Sequence, residues 1–236
     1  MAIPLYLAKT AAEFASAQEQ PTHLAWMACH FSPYGTGLTN VPTDLPKGSL
    51  LILNDRTPVH GHDPVRIRET LEEAVTALGC CGVLLDFQRP DYKEAKEIAR
   101  ELLNLPCPVC VSDIYAREHN CPVFLPPVPL TAPPEEYLAP WQDREIWLEA
   151  AACCAAITIT ESGCKETPYQ SDGAFPFWDE ALYCHYRIEL LDDSVRFFLS
   201  RNKDDLTRLL ENSAVFGVTQ AVGLWQELKE DSPALP

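Results

Sequence analysis

Five short apolar runs, each ending in a carboxylate or an amide, constrain the fold of this chain more than any other feature. They are Leu50-Leu51-Ile52-Leu53-Asn54-Asp55, Gly82-Val83-Leu84-Leu85-Asp86-Phe87-Gln88, Val109-Cys110-Val111-Ser112-Asp113, Ile146-Trp147-Leu148-Glu149 and Ala221-Val222-Gly223-Leu224-Trp225-Gln226-Glu227. Near-continuous apolar runs suit parallel strands covered on both faces, because neither face needs a polar alternation. Polar groups at the C-terminal ends of such strands are what a β/α barrel or an open α/β sheet uses to build a site. One such group marks only where a strand meets water; five with the same ending point to a shared site.

The segments between the runs carry helix signals. Thr10 and Glu13 form a capping box for a helix through about Ala17. Asp63 can cap a second helix, Pro64 fits its first position and Gly79 ends it, with Ile67, Leu71, Val75 and Leu78 on one face. A third is expected from Asp91 to Asn104, with Ala95, Ile98 and Leu102 inward, and another over Lys203 to Ser213. Further strands are expected at His23 to Phe31, Pro122 to Leu125 and Ala155 to Thr160, with the last over Thr219 to Glu227. The proline-rich stretch Pro126 to Pro140 reads as a loop with a short helix at Pro134 to Leu138. Glu161 to Trp178 reads as a loop over a site, and Cys184 to Leu190 with Val195 to Ser200 as a hairpin. Alternating β and α units predict an α/β fold: a single (β/α)8 TIM barrel over residues 1–236, with a hairpin insertion before the last helix and strand.

Composition narrows the function classes. The 236 residues carry 34 acidic against 18 basic side chains, a net charge of −16. That balance repels phosphate backbones and anionic membranes, so no nucleic-acid partner is expected. No run approaches the roughly 18 apolar residues of a membrane span. The start, from Met1 to Lys9, is too short and weakly basic for a signal peptide, so a cytoplasmic location is expected. The ten cysteines, mostly inside apolar runs, then read as free thiols. Cys107-Pro108-Val109-Cys110 has metal-ligand spacing, but no second pair completes a tetrahedral site. His60-Gly61-His62-Asp63 could bind a metal and reads better as a polar loop leading to the Asp63 cap. No metal and no cofactor is expected, and nothing in the chain sets an oligomeric state.

Period two in a strand puts Leu84, Asp86 and Gln88 on one face and Val83, Leu85 and Phe87 on the other. This stretch resembles the diagnostic strand of the chitinase-type family 18 glycoside hydrolases, D-G-x-D-x-D-x-E. Cys81-Gly82-Val83-Leu84-Leu85-Asp86-Phe87-Gln88 occupies the same frame; Gly82, Asp86 and Phe87 match, whereas Cys81, Leu84 and Gln88 depart. The C-terminal part is similar too: a hairpin from His185 to Leu199, a helix, then Gly217-Val218 and Ala221 to Trp225. In that family a Trp on the last strand floors the sugar subsite, which the resemblance assigns here to Trp225.

The departures decide what carries over. The resemblance implies a proton donor at Gln88 and an orienting carboxylate at Asp86 for substrate-assisted hydrolysis. An amide has no carboxylic proton to give, and Leu84 removes the first inward carboxylate. The expected site therefore comprises Asp86, Gln88 and Glu149 as the chemistry-bearing group. Asp55, Asp113, Tyr115, Trp147, Trp225 and Gln226 are expected to contact ligand, and Tyr34 and His30 to sit at the rim. The expected ligand is a carbohydrate or another polar small molecule, bound by a barrel whose chitinase chemistry is lost or altered. Two alternatives stand beside it: an active glycoside hydrolase pairing Asp86 with Asp55, Asp113 or Glu149, and a non-catalytic protein-interaction module.

Overall fold

The computed structural model describes residues 3–17, 19–35, 37–90, 93–169 and 174–229. β1 (Leu5–Lys9) leads into α1 (Ala11–Ser16), and β2 (Leu24–Phe31) carries a short antiparallel partner, β3 (Leu38–Thr39). Four β/α units follow: β4 (Leu50–Asn54) with α2 (Pro64–Leu78), β5 (Gly82–Asp86) with α3 (Lys93–Leu102), β6 (Val109–Ser112) with α4 (Asp113–Ala116), and β7 (Val123–Leu125) with α5 (Pro134–Leu138). β8 (Ile146–Ala150) then opens an insertion of β9 (Cys153–Thr160), β10 (Gly163–Pro168), β11 (Phe177–Asp179), β12 (Cys184–Leu190) and β13 (Ser194–Arg201). α6 (Lys203–Ser213), β14 (Val218–Leu224) and α7 (Trp225–Leu228) complete the described chain.

Strands β1, β2, β4, β5, β6, β7, β8 and β14 pair in parallel and close on themselves through β14 and β1, with Leu5 opposite Ala221 and Tyr6 opposite Val222. The fold is thus an α/β TIM barrel, as the alternation of elements predicts. The inserted strands form a separate antiparallel sheet in the order β10-β9-β13-β12-β11.

The alternation along each strand sorts the core. Leu51, Leu53, Val83, Leu85, Val109 and Val111 point outward and pack under α2 and α3 with Ile67, Leu71, Ile98 and Leu102. Tyr6, Leu50, Ile52, Leu84, Cys110, Phe124, Trp147 and Val222 point inward and fill the barrel. Capping follows the sequence signals: Thr10 and Glu13 close a capping box on α1, and the Asp63 side chain accepts from Val65 N at 3.0 Å. Gly79 ends α2 in the left-handed region at φ 64°, which costs glycine no Cβ clash.

Four boundaries differ from the sequence reading, each where periodicity is weakest. The opening residues form β1, the strand that closes the barrel, where the sequence reading assigned no strand. Residues read as one loop after Glu161 hold β10 and β11, so the hairpin belongs to a five-stranded sheet. The last strand stops at Leu224, and Trp225, Gln226 and Glu227 sit in the helical turn α7. The third helix, expected to run to Asn104, ends at Leu102; Asp91, its expected first residue, lies outside the described residues. All ten cysteines are free thiols. Among the described residues no helix is long and apolar enough to cross a membrane.

Candidate functional site

Because the barrel strands are parallel, Asp55, Asp86, Asp113 and Glu149 all fall at its C-terminal end. A cavity of about 1050 Å³ opens there, lined by Asp86, Gln88 and Glu149 together with Asn54, His30, Arg56 and Arg89. Its apolar wall includes Met27, Leu84, Phe124 and Leu224.

The exit of β5 is held by side chains from both neighbouring strands. Ser112, at the end of β6, accepts from Phe87 N at 2.9 Å and donates to the Leu85 carbonyl at 2.9 Å. Asp55, just past β4, accepts from Gln88 N at 3.1 Å and Arg89 N at 2.9 Å. Three successive backbone N–H groups are thereby satisfied beyond the end of the ladder. This fixes the direction in which Asp86 and Gln88 leave the strand. Phe87, pointing the other way, is buried against Phe31 and Tyr115 at ring-centroid distances of 5.8 and 6.0 Å.

Gln88 Nε2 donates to Asp86 Oδ1. Burial pushes the Asp86 carboxyl above the usual carboxylate range and the charge of Asp55 adds to this, while the Gln88 hydrogen bond opposes both. Glu149 is raised as well, first by burial and then by the charges of Asp86 and Glu227. Glu227 is itself raised by burial. Tyr137 is pushed up to about 12 by burial, with Asp113 and Glu149 adding to it. Asp86 and Glu149 thus face one cavity, and the charge of Asp86 disfavours ionisation of Glu149.

The other expected site residues fare differently. Asp55 lines the cavity, but it is buried and both its oxygens are engaged by backbone N–H groups. Asp113 opens α4 and does not line the cavity. Trp147 points into the barrel one residue pair below Glu149, is wholly buried, and donates from Nε1 to Glu145 Oε1 at 2.9 Å. A Cβ on Gly82 would lie 3.0 Å from its ring, so Trp147 occupies the space that glycine leaves and forms part of the floor. It is a core residue and offers no face to a ligand.

Tyr115 is also corrected. It is buried outside the barrel and donates to the Arg89 carbonyl. Trp225 lies off the last strand, does not line the cavity, and has the Lys9 ammonium 3.8 Å from its ring centroid. Lys9 is buried, and stacking there together with a 3.1 Å hydrogen bond to Gln20 Oε1 partners its charge. Gln226 is exposed in the same turn and does not line the cavity.

Of the rim residues, His30 lines the cavity and Tyr34 is 85% exposed and away from it. His60 pairs with Glu94 at 3.1 Å, whereas His62 is buried on Phe31 and bonds the Ser32 carbonyl, so the two imidazoles serve different elements. Among the described residues no group of three or more His, Cys, Asp or Glu is placed to hold a metal ion.

Asn54 is the main residue that sequence reasoning missed. Its Nδ2 donates to the Met27 and Cys29 carbonyls at 3.3 and 3.2 Å, and its Oδ1 accepts from Arg56 N at 3.1 Å. The signal was present: the period-two rule applied to Leu50 and Ile52 puts Asn54, and not Asp55, on the inner face.

No protein-family model matches the sequence, and no curated protein matches it either. Solved structures share its fold. The spore cortex-lytic enzyme SleL of Bacillus cereus superposes with a TM-score of 0.55 at 10% identity, covering 99% of this chain and 71% of that one. A chitinase from Chromobacterium violaceum gives 0.53 at 10% identity over 98% of this chain and 96% of its own. The SleL enzyme of Bacillus megaterium gives 0.52 at 10% identity over 96% and 70%. At such identity the likeness is one of fold.

Proposed function

We propose that the barrel mouth binds a carbohydrate, or a polar molecule of similar size, and that hydrolysis by the family 18 scheme is lost or altered. The observation that carries this reading is the Asp86–Gln88 pair facing an open cavity. Where the resemblance asks for a proton donor there is an amide, one of whose two N–H groups is donated to Asp86. Asp86 can accept from a sugar hydroxyl or an amide, and Gln88 Oε1 adds a second acceptor. Met27, Phe124 and Leu224 supply apolar wall for the C–H face of a ring, and a volume near 1050 Å³ accommodates a ligand of several sugar-sized groups.

A second reading has its own support in Glu149. Its carboxyl is raised by burial and by Asp86, so it holds a proton more readily than a solvated glutamate. A raised carboxylic acid facing the same cavity as a second carboxyl is the kind of pair that glycosidic acid catalysis uses. Glu149 as acid with Asp86 as partner is thus the hydrolase to test against simple binding. Asp55 fits that role less well because the backbone engages both its oxygens. A mouth filled by side chains would have favoured a protein-interaction module, and this mouth is open.

A glycan array combined with chromogenic glycosides separates the readings. Binding of N-acetylated glycans without turnover is expected of the unmodified chain. Asp86→Ala should weaken that binding about tenfold or more, the worth of one charged hydrogen bond. Gln88→Glu should gain at most weak hydrolysis, since Leu84 still withholds the first inward carboxylate. Turnover by the unmodified chain that disappears in Glu149→Gln would establish the second reading. A bound glycan indifferent to Asp86→Ala would move the site elsewhere.

A further inference from the structure

The inserted sheet carries a second cavity, of about 860 Å³, that shares no lining residue with the mouth. Strand register explains its chemistry. On one face Thr167, Ala156, Phe198 and Arg187 form a cross-strand row. The next row runs Lys165, Thr158, Arg196 and Glu189. Among the described residues the lining carries Lys165, Arg187 and Arg196 beside one carboxylate, Glu189.

The two guanidinium groups are also oriented. The Arg187 guanidinium lies 4.3 Å from the Phe198 ring centroid and donates to Tyr169 Oη at 2.8 Å. Tyr169 packs on the same Phe198 ring with centroids 4.7 Å apart. Arg196 Nε donates to Thr158 Oγ1 at 3.3 Å. Its ion pair with Glu189 is long, 3.8 Å, between side chains 40% and 51% exposed, so water and salt screen it heavily. Thr158, Thr160 and Thr167 add hydroxyls to the lining. A guanidinium fork beside hydroxyls, as at Arg196, is suited to a planar or tetrahedral oxyanion.

We propose that this basin binds a small molecule through an oxyanion group, a carboxylate, phosphate or sulfate, with Arg196 and Lys165 as its principal contacts. The proposal does not depend on the reading of the mouth.

Calorimetric titration of the full chain with inorganic phosphate, inorganic sulfate, D-glucuronate and D-glucose tests it. At least one anion should bind and glucose should not; tighter glucuronate identifies a carboxylate ligand, and tighter phosphate or sulfate a tetrahedral one. Lys165→Ala/Arg196→Ala should weaken the preferred anion about tenfold or more, with Asp86→Ala leaving it unchanged. Lys165 is exposed, so Lys165→Glu alone provides a variant with little risk to folding and should also weaken binding. The proposal is overturned if no anion binds, if the double variant binds as the unmodified chain does, or if all three anions bind alike and are displaced by chloride at physiological strength.

Discussion

The two halves of the barrel interior are built from the same strands and behave as different materials. On β5 the inward residues run from Gly82 and Leu84 below to Asp86 above, and on β8 from Trp147 to Glu149. Below, Trp147, Leu50 and Cys110 close the barrel to solvent. Above, the same alternation delivers carboxylates and amides to an open cavity. One step of period two, about 6.6 Å along a strand, separates a floor stabilised by excluding water from an open mouth lined by polar groups. Aromatic and acidic residues at adjacent inward positions therefore belong to different functions.

Replacing the floor should produce the largest effect. Trp147→Ala removes a wholly buried side chain against which Gly82 is packed, and should cost about 3–5 kcal/mol in urea unfolding. A loss below about 1 kcal/mol would mean that the floor collapses freely and that the division between floor and mouth is wrong.

Asp55 lies at the boundary between the two, so its effect should be intermediate. Asp55→Ala leaves the N–H groups of Gln88 and Arg89 without their acceptor and should cost about 2–3 kcal/mol, while Asp55→Asn, which keeps one acceptor oxygen, should cost less. Equal losses from the two variants would show that the charge of Asp55, and not its geometry, supports the turn.

The mouth should show the smallest effect on stability, and one of opposite sign. The Asp86 and Glu149 carboxyls are raised in the folded chain, so above the ordinary carboxylate range it holds protons that the unfolded chain has lost. Raising pH from about 4 toward neutrality therefore reduces stability through these groups, and lowering it restores the loss. Asp86→Asn/Glu149→Gln should remove this dependence, leaving the variant more stable than the unmodified chain at pH 7 and nearly matched at pH 4. Thermal unfolding across that range measures it; an advantage that grows toward low pH would contradict a desolvated pair.

Most of the barrel was legible because parallel strands under helices need continuous apolar runs, and four of the five runs match β4, β5, β6 and β8 closely. The fifth overran: apolar Leu224 and aromatic Trp225 are equally acceptable to a strand end and to a packed helical turn. β1 escaped because its five residues, at the start of the chain, show no alternation that a short apolar segment lacks. β10 escaped for a related reason, since its exposed residues carry no apolar face to mark it as a strand.

In the site, sequence by itself determined which residues share a strand face, because side-chain direction alternates with backbone geometry alone. That sufficed to join Asp86 to Gln88 at the end of β5. Depth along the barrel axis, which separates Trp147 from Glu149, was decided only by the stagger of the closed sheet. So was the engagement of Asp55 with the backbone past β5, since strands 27 residues apart in sequence become hydrogen-bonded neighbours only on folding. The basic basin was likewise unreadable in advance: Lys165, Arg187 and Arg196 lie on three different strands, and only the register of the antiparallel sheet turns them to one face.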